Sequence, residues 1–261
     1  METYPERGAH LMLNRKSLES MKSTLGYNLG QIERDYLQHI LLLFLSRHAG
    51  SWLVFKGGTA LQKAYGLNRF SEDMDFTSKN EGELEDIALR IRTDLINFGF
   101  ENDVEIKKNV SEVIVYRIKG PLYDGSPRST VVLRLEVSLR EEVILKKELR
   151  EVVPVYTDLQ PYLVTMMNLE EIFSEKIRAI MTRDKARDVF DAGFLIKKKV
   201  PVNMELVNKK LEYYNMRFER DAFIASLMNK KGVWVKELKP LVSFLPDFEK
   251  TAREIMEAIP E

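Results

Sequence analysis

The hydrophobic period of this chain changes once along its length, and that change limits the folds open to it. Up to about Asp158, apolar residues alternate in twos along several short segments. From Asn168 onward they recur every three to four residues, with breaks near Thr182–Lys185, around Lys199–Val202, and at Pro240 and Pro246. Period two buries one face of a strand, and a period near 3.6 buries one stripe of a helix. The pattern predicts an α/β part over residues 1–160 and an all-helical part over 161–261. Val131–Leu139 is the clearest strand, with Val131, Leu133, Leu135, Val137 and Leu139 on one face and Val132, Arg134, Glu136 and Ser138 on the other. Val104–Lys108 and Val113–Lys119 are further strand candidates, and the Gly/Pro/Ser-rich GPLYDGSPRS forms the loop before Val131.

Helical spacing marks Gln31–His48, through Ile32, Tyr36, Ile40, Leu43 and Phe44, and also Gly82–Phe98, closed by Gly99. Between these helices lies Lys56–Phe76, KGGTALQKAYGLNRFSEDMDF. A short apolar strand, SWLVF, ends in Gly57-Gly58. A helix follows and stops at Gly66, and EDMDF then resumes strand alternation.

Composition narrows what this stretch can do. The chain has 40 Lys+Arg and 40 Asp+Glu, no cysteine and three histidines. Absence of cysteine excludes disulfides, thiolate nucleophiles and iron–sulfur clusters. Zero net charge argues against a whole-molecule grip on nucleic acid. His39 falls in an apolar helical run and reads as a core-edge residue, and neither His10 nor His48 has a partner at metal spacing. The most apolar run, His39–Leu45, is far shorter than the roughly 20 residues of a membrane span. No targeting segment is visible, so the expectation is a cytoplasmic protein without membrane partners. Carboxylates, hydroxyls and lysines are left to carry any chemistry.

On a strand, Asp73 and Asp75 project to one side while Met74 and Phe76 enter the core. Two carboxylates that close repel unless a cation lies between them, and a hard ion such as Mg²⁺ (or Mn²⁺) resolves the repulsion while keeping positions open for phosphate oxygens. Gly57 and Gly58 let the backbone approach a phosphate at a helix N-terminus, and Thr59 adds a hydroxyl there. Taken singly, Gly-Gly is a common turn and Asp-x-Asp a common surface pattern. In this order they read together as a nucleoside-triphosphate site.

KGGTAL followed by RFSEDMDF resembles the nucleotidyltransferase toxins of the AbiEii/AbiGii type, within the DNA polymerase β-like nucleotidyltransferase superfamily. The matching residues are Gly57, Gly58 and Thr59, then Ser71, Asp73 and Asp75. A second stretch, Glu170–Leu195, resembles the family's helical lysine and its R-D-x-x-D motif through Lys176, Arg187, Asp188 and Asp191. The resemblance implies an α/β (α+β) fold, a nucleotidyltransferase-like mixed sheet with flanking helices and a C-terminal helical domain completing the cleft. It also implies Mg²⁺-dependent transfer of a nucleoside monophosphate from an NTP to an acceptor hydroxyl. RNA, namely a tRNA 3′ end, is the expected acceptor, the biological setting is a toxin–antitoxin or phage-defence system, and a cognate antitoxin is an expected partner.

On this reading Asp73, Asp75, Lys176 and Asp188 are catalytic, and Asp73, Asp75 and Glu136 are metal ligands. Gly57, Gly58, Thr59, Arg69, Ser71 and Asp191 bind the nucleotide. The family more often has Asp where Glu136 stands; Glu136 either joins the metal set, pairs with Arg134 or faces solvent. Lys176 either meets triphosphate oxygens or belongs to a salt-bridged helical face, and Asp188 and Asp191 either place the acceptor or fix nearby cations. Ser71 is as well suited to a turn as to a phosphate. The rival functions are a small-molecule nucleotidyltransferase, a protein phosphotransferase using the same cradle, and a silent partner-binding module.

Overall fold

The protein is described here by a computed structural model covering residues 13–79, 83–108 and 111–260. Two short helices, α1 (Arg15–Ser20) and α2 (Lys22–Leu25), lead into the long α3 (Leu29–His48). Asn28 and Gln31 close the first turn of α3 as a reciprocal capping box. Strand β1 (Val54–Lys56) runs directly into α4 (Gly57–Tyr65), which stops at Gly66 in the left-handed region with φ 76°. β2 (Met74–Thr77), α5 (Leu84–Phe98), β3 (Asn102–Lys108), β4 (Ser111–Ile118) and β5 (Val131–Ser138) follow. Gly99 ends α5 at φ 108°, as its sequence predicts, while the expected start at Gly82 lies outside the described residues. β6 (Glu148–Val152) and β7 (Tyr162–Met166) complete the strands. The remainder is helical: α6 (Leu169–Thr182), α7 (Ala186–Lys197), α8 (Met204–Glu212), α9 (Arg220–Asn229), α10 (Lys231–Leu238) and α11 (Phe248–Ala258).

The strands form one seven-stranded mixed sheet in the order β3-β4-β5-β2-β1-β7-β6. β1 is antiparallel to β2 and parallel to β7, and β2 is parallel to β5. The mixed sheet with flanking helices is the architecture expected from the sequence. β7 lies beyond residue 160, so the sheet extends to Met166 before the helical region begins. Its five residues are too few for a period to stand out beside a helical stretch. β6 is harder still, because its leucine faces out and its charges alternate with it.

Alternation along the central strands sorts the two faces of the sheet. Met74 and Phe76 share one face with Leu133, Leu135, Val137, Ile114 and Tyr116, all buried. Each apolar side chain so buried contributes roughly 1.5–3 kcal/mol. Tyr116 donates its hydroxyl hydrogen to the Ala88 carbonyl of α5 at 3.1 Å, which puts α5 on this face. The opposite face carries polar residues in register across β1, β2 and β5: Lys56 lies opposite Asp75, and Asp75 opposite Glu136. Toward β5 this face is open, with Arg134 and Glu136 exposed, while near β1 it is covered by α6.

Candidate active site

The glycine turn joins β1 to α4 without a loop. Gly57 has φ 76°, and a Cβ on it would overlap the Asp75 carboxylate; Gly58 has an ordinary backbone, but a Cβ there would overlap the Arg69 guanidinium. Both positions are thus emptied of side chain by a neighbour, not by the turn alone. Among the described residues no side chain caps α4 at Lys56, which leaves its first-turn N–H groups without a side-chain cap. Thr59 donates to Ser71 Oγ at 2.8 Å and also contacts the Asp73 carbonyl. Gln38 donates to the carbonyls of Ser71 and Glu72 at 3.0 and 2.8 Å, and Gln62 accepts from the Ser71 N–H at 3.1 Å. Thr59 and Ser71, both buried, therefore pin the segment before β2 against α4.

Asp75 stands on β2 with Lys56 and Glu136 beside it in register. Burial pushes its carboxyl up to about 6, Lys176 and Lys56 pull it down, and the Glu136 carboxylate adds to the rise. Asp73 sits in the bend before β2, half-buried, and is outside the cleft lining. That cleft, about 100 Å³, is lined on its polar side by Lys56, Gly57, Asp75, Glu175, Lys176, Arg178 and Arg183.

A chain of ion pairs, buried except at its outer end on Arg183, runs from behind the lining into it. Arg69 donates Nε to Asp191 Oδ1 at 2.6 Å and Nη2 to Oδ2 at 2.7 Å. Lys176 Nζ lies 2.7 Å from Asp191 and 3.1 Å from Asp188. Arg183 closes the chain with a second fork, 2.7 and 2.8 Å from the two Asp188 oxygens. Asp188 and Asp191 are fully buried, which by itself raises a carboxyl's pKa. For Asp188 the Lys176 and Arg183 charges outweigh burial, for Asp191 those of Arg69 and Lys176, and both carboxyls are held below the usual range. Lys176 thus bridges the two carboxylates of the R-D-x-x-D motif, one helical turn apart on α7.

A second cluster lies beside Lys56. Its Nζ is 3.1 Å from both Glu141 and Glu175. Burial opposes the charge on Lys56, but the two carboxylates prevail and raise its pKa. Lys210, fully buried on α8, lies 2.7 Å from Glu171 and 3.2 Å from Glu175, and Arg178 is 3.3 Å from Glu141. Burial pushes Glu175 up, yet Lys56, Lys210 and Arg178 together bring it down to about 2.

The structure brings Gly57, Asp75 and Lys176 together around the cleft, with Glu136 adjacent to Asp75 on the open sheet face. Gly58, Arg69, Asp188 and Asp191 form its backing, and Thr59 and Ser71 tie down the loop beneath. Sequence reasoning passed over Arg183, Arg178 and Glu175, and the pair Lys209–Lys210 reads in the sequence as a solvated helix end or a guide for RNA phosphates, whereas Lys210 is fully buried against Glu171 and Glu175. Asp188 pairs with Arg183 five residues upstream, whereas the motif had pointed to Arg187. One signal was available: Lys210 interrupts the apolar stripe Leu206, Val207, Leu211 of α8, and a lysine there needs a buried acid.

The carboxylates offer hard oxygen donors suited to a divalent ion. Among the described residues no group of three metal-ligating side chains gathers, so Asp75 and Glu136 form a pair. A pair suits Mg²⁺, which commonly takes one or two carboxylates and fills its remaining positions with water and phosphate oxygens.

A family model described as nucleotidyl transferase AbiEii toxin, type IV toxin–antitoxin system, matches residues 42–258. Among solved structures, the nucleotidyltransferase toxin MenT4 (Rv2826c) of Mycobacterium tuberculosis H37Rv is similar with a TM-score of 0.63 and 19% identity, over 94% of this chain and 88% of that one. JHP933 of Helicobacter pylori gives a TM-score of 0.61 and 24% identity, over 89% of this chain and 91% of that one. At these identities the likeness to solved structures is one of fold. No curated protein matches the chain.

Proposed function

Because this chain belongs to the AbiEii family of nucleotidyltransferase toxins of type IV toxin–antitoxin systems, we propose that the Asp75 cleft transfers a nucleoside monophosphate from an NTP to an acceptor hydroxyl, with an RNA 3′ end as acceptor. The observation that carries this reading is the convergence on one cleft of three parts: an uncapped helix start at Gly57, the Asp75 carboxylate, and a cationic wall of Lys56, Lys176, Arg178 and Arg183. A triphosphate needs the first and third of these, and a divalent ion needs the second.

In this mechanism the backbone N–H groups at the start of α4 bind the triphosphate, helped by the partial positive charge of the helix end. Asp75 would hold Mg²⁺ together with Glu136, while Asp73, in the bend before β2, stays outside this pair. When bound, the ion supplies positive charge against the phosphate oxygens. The acceptor hydroxyl gives up its proton to solvent as its oxygen bonds to the α-phosphorus and the bond from that phosphorus to the β-bridging oxygen breaks, and pyrophosphate leaves. Lys176 and Arg183, held by Asp188, face the charge gathering on the leaving group, a role for preorganised cations. Arg69, Asp188 and Asp191 act through others. They fix Lys176 and Arg183, so the nucleotide-binding role first read for Arg69 and Asp191 becomes a positioning one.

The test incubates wild type, Asp75→Asn and Lys176→Met with Mg²⁺, total tRNA and each α-labelled NTP in turn. The expected outcome is metal-dependent label in RNA from wild type, with loss in Lys176→Met of about 10²–10³-fold, as when one preorganised transition-state donor is removed. Label transferred from the γ-position to protein, or confined to small molecules, replaces the RNA acceptor by a different one. No transfer by folded wild type, with any NTP, overturns the reading.

A further inference from the structure

The two ends of the sheet are built differently. At one end, β3 exposes Asp103, Glu105 and Lys107, a charged residue at each outward position. Those charges are engaged within the chain: Glu105 lies 3.3 Å from Lys107 and 3.0 Å from Arg117. A row of charge of this kind keeps an edge strand from pairing with another chain.

At the other end, β6 has β7 on one side and, among the described residues, no strand on the other. Leu149 stands in the middle of this edge and is 66% exposed. The register of β6 on β7 sets Leu149 opposite Thr165 and Glu151 opposite Leu163, so Leu149 and the exposed Leu163 share a face. Val153 and Val155, just past the strand, are exposed as well. An edge protected from association would carry charge where Leu149 stands.

The charges around Leu149 match their own reverse. The run is Lys147, Glu148, Leu149, Arg150, Glu151. Laid antiparallel on itself about Leu149, it puts Lys147 opposite Glu151, Glu148 opposite Arg150, and leucine against leucine. Opposite charges directly across a strand pair attract, and like charges repel. Moving the centre to Arg150 would oppose arginine to arginine and leucine to glutamate. Moving it to Glu148 would oppose glutamate to glutamate. Of these three registers, only the one centred on Leu149 satisfies both the charges and the leucine.

We propose that β6 pairs antiparallel with β6 of a second copy of this chain, joining the two sheets about a two-fold axis at Leu149. The contact is isologous: each copy offers the same backbone edge, the same leucine and the same two charge signs in reverse order. Leu163 and Val153 widen the apolar strip beside the axis. The inference does not depend on the nucleotide chemistry, since β6 contributes nothing to the lining of the Asp75 cleft.

Sedimentation velocity over a concentration series of the full chain tests it. Wild type is expected to form a reversible dimer. Arg150→Glu, which sets like charges opposite each other on both sides of the axis, is expected to weaken the dimer by about tenfold or more. Leu149→Lys is expected to do the same. The double variant Glu148→Arg/Arg150→Glu restores opposite signs in swapped positions and is expected to recover dimerisation, an outcome that general damage to the edge would not produce. Arg150 also stacks on Tyr65 and lies 3.8 Å from Glu148, which accepts from Asn168 at 3.1 Å, so pairing across the axis exchanges these contacts inside each copy and thermal unfolding of each variant is recorded in parallel. If Arg150→Glu loses its fold, Leu149→Lys carries the test, because that side chain is already largely in solvent. A wild type that stays monomeric throughout, leaving β6 to solvent or to a different chain, overturns the proposal. So does a dimer unmoved by both single variants.

Discussion

Gly58, in the first turn of α4, and Gly66, just past its last residue, sit eight residues apart, and their surroundings predict opposite sensitivities. A Cβ on Gly58 would displace the Arg69 fork, whereas Gly66 has nothing within 4 Å of the added atom and only its φ of 76° to strain. Gly58→Ala is expected to cost on the order of the roughly 3–5 kcal/mol lost when one partner of a buried ion pair is taken away. Gly66→Ala should cost only about 1–2 kcal/mol, the strain of one left-handed residue. Urea midpoints of the two variants against wild type check this, and equal losses would refute the steric account of Gly58. The glycines and Asp75 could be read together because one short stretch holds them, and Lys176 from a second stretch that resembles the family's helical lysine. The partner of Arg69 could not be read in this way. It lies 122 residues away, and nothing local to RFSED says that its arginine crosses over Gly58 to Asp191.

At the scale of the element, α3 was read correctly as a helix, yet its buried side is not uniformly apolar. Asp35 and His39, one turn apart, are both buried, and Tyr162 Oη lies 2.8 Å from His39 Nδ1. Burial pushes the imidazole down to about 3, helped by Lys63, although Asp35 pulls the other way. The folded state therefore holds His39 neutral, while the unfolded chain takes up a proton below about 6.5. The stabilisation is complete above that pH and is lost as pH falls toward 3, at about 1.4 kcal/mol per pH unit. Denaturation between pH 7 and pH 4.5 should show this slope in wild type and a flatter line in His39→Asn. Identical slopes would refute it. In Glu175, by contrast, the carboxyl is held at about 2, so its stabilisation begins to fade only below the ordinary glutamate range. A histidine in an apolar run announces burial, as the sequence suggested, but not the aspartate, lysine and tyrosine that surround it, which come from α3, α4 and β7.

For the whole molecule, the period change near residue 160 located the last helices but not the last strands. Buried residues from Leu18 to Ile259 belong to a single core, and β7 is the sole described strand partner of β6 as well as the outer neighbour of β1. A fragment ending at residue 160 would leave β6 unpaired and the Lys56 side of the sheet uncovered. It is expected to lack a cooperative thermal transition, whereas the full chain should melt in one step; a well-folded fragment would show the first part to be independent. Strand order of this kind has no local signature, because β2 pairs with β5 and β1 with β7 across long stretches of other structure. The Arg69–Asp191 joint and the 119-residue separation of Lys56 from Glu175 also have a consequence in time. At roughly 5–20 residues per second on a ribosome, about 6–25 s pass between synthesis of Arg69 and of Asp191. Through that interval the nascent chain carries its glycine turn, Lys56 and Asp75 but lacks the Asp191 that holds Arg69 and Lys176 in place. The cleft is therefore assembled only after α6 and α7 have been made.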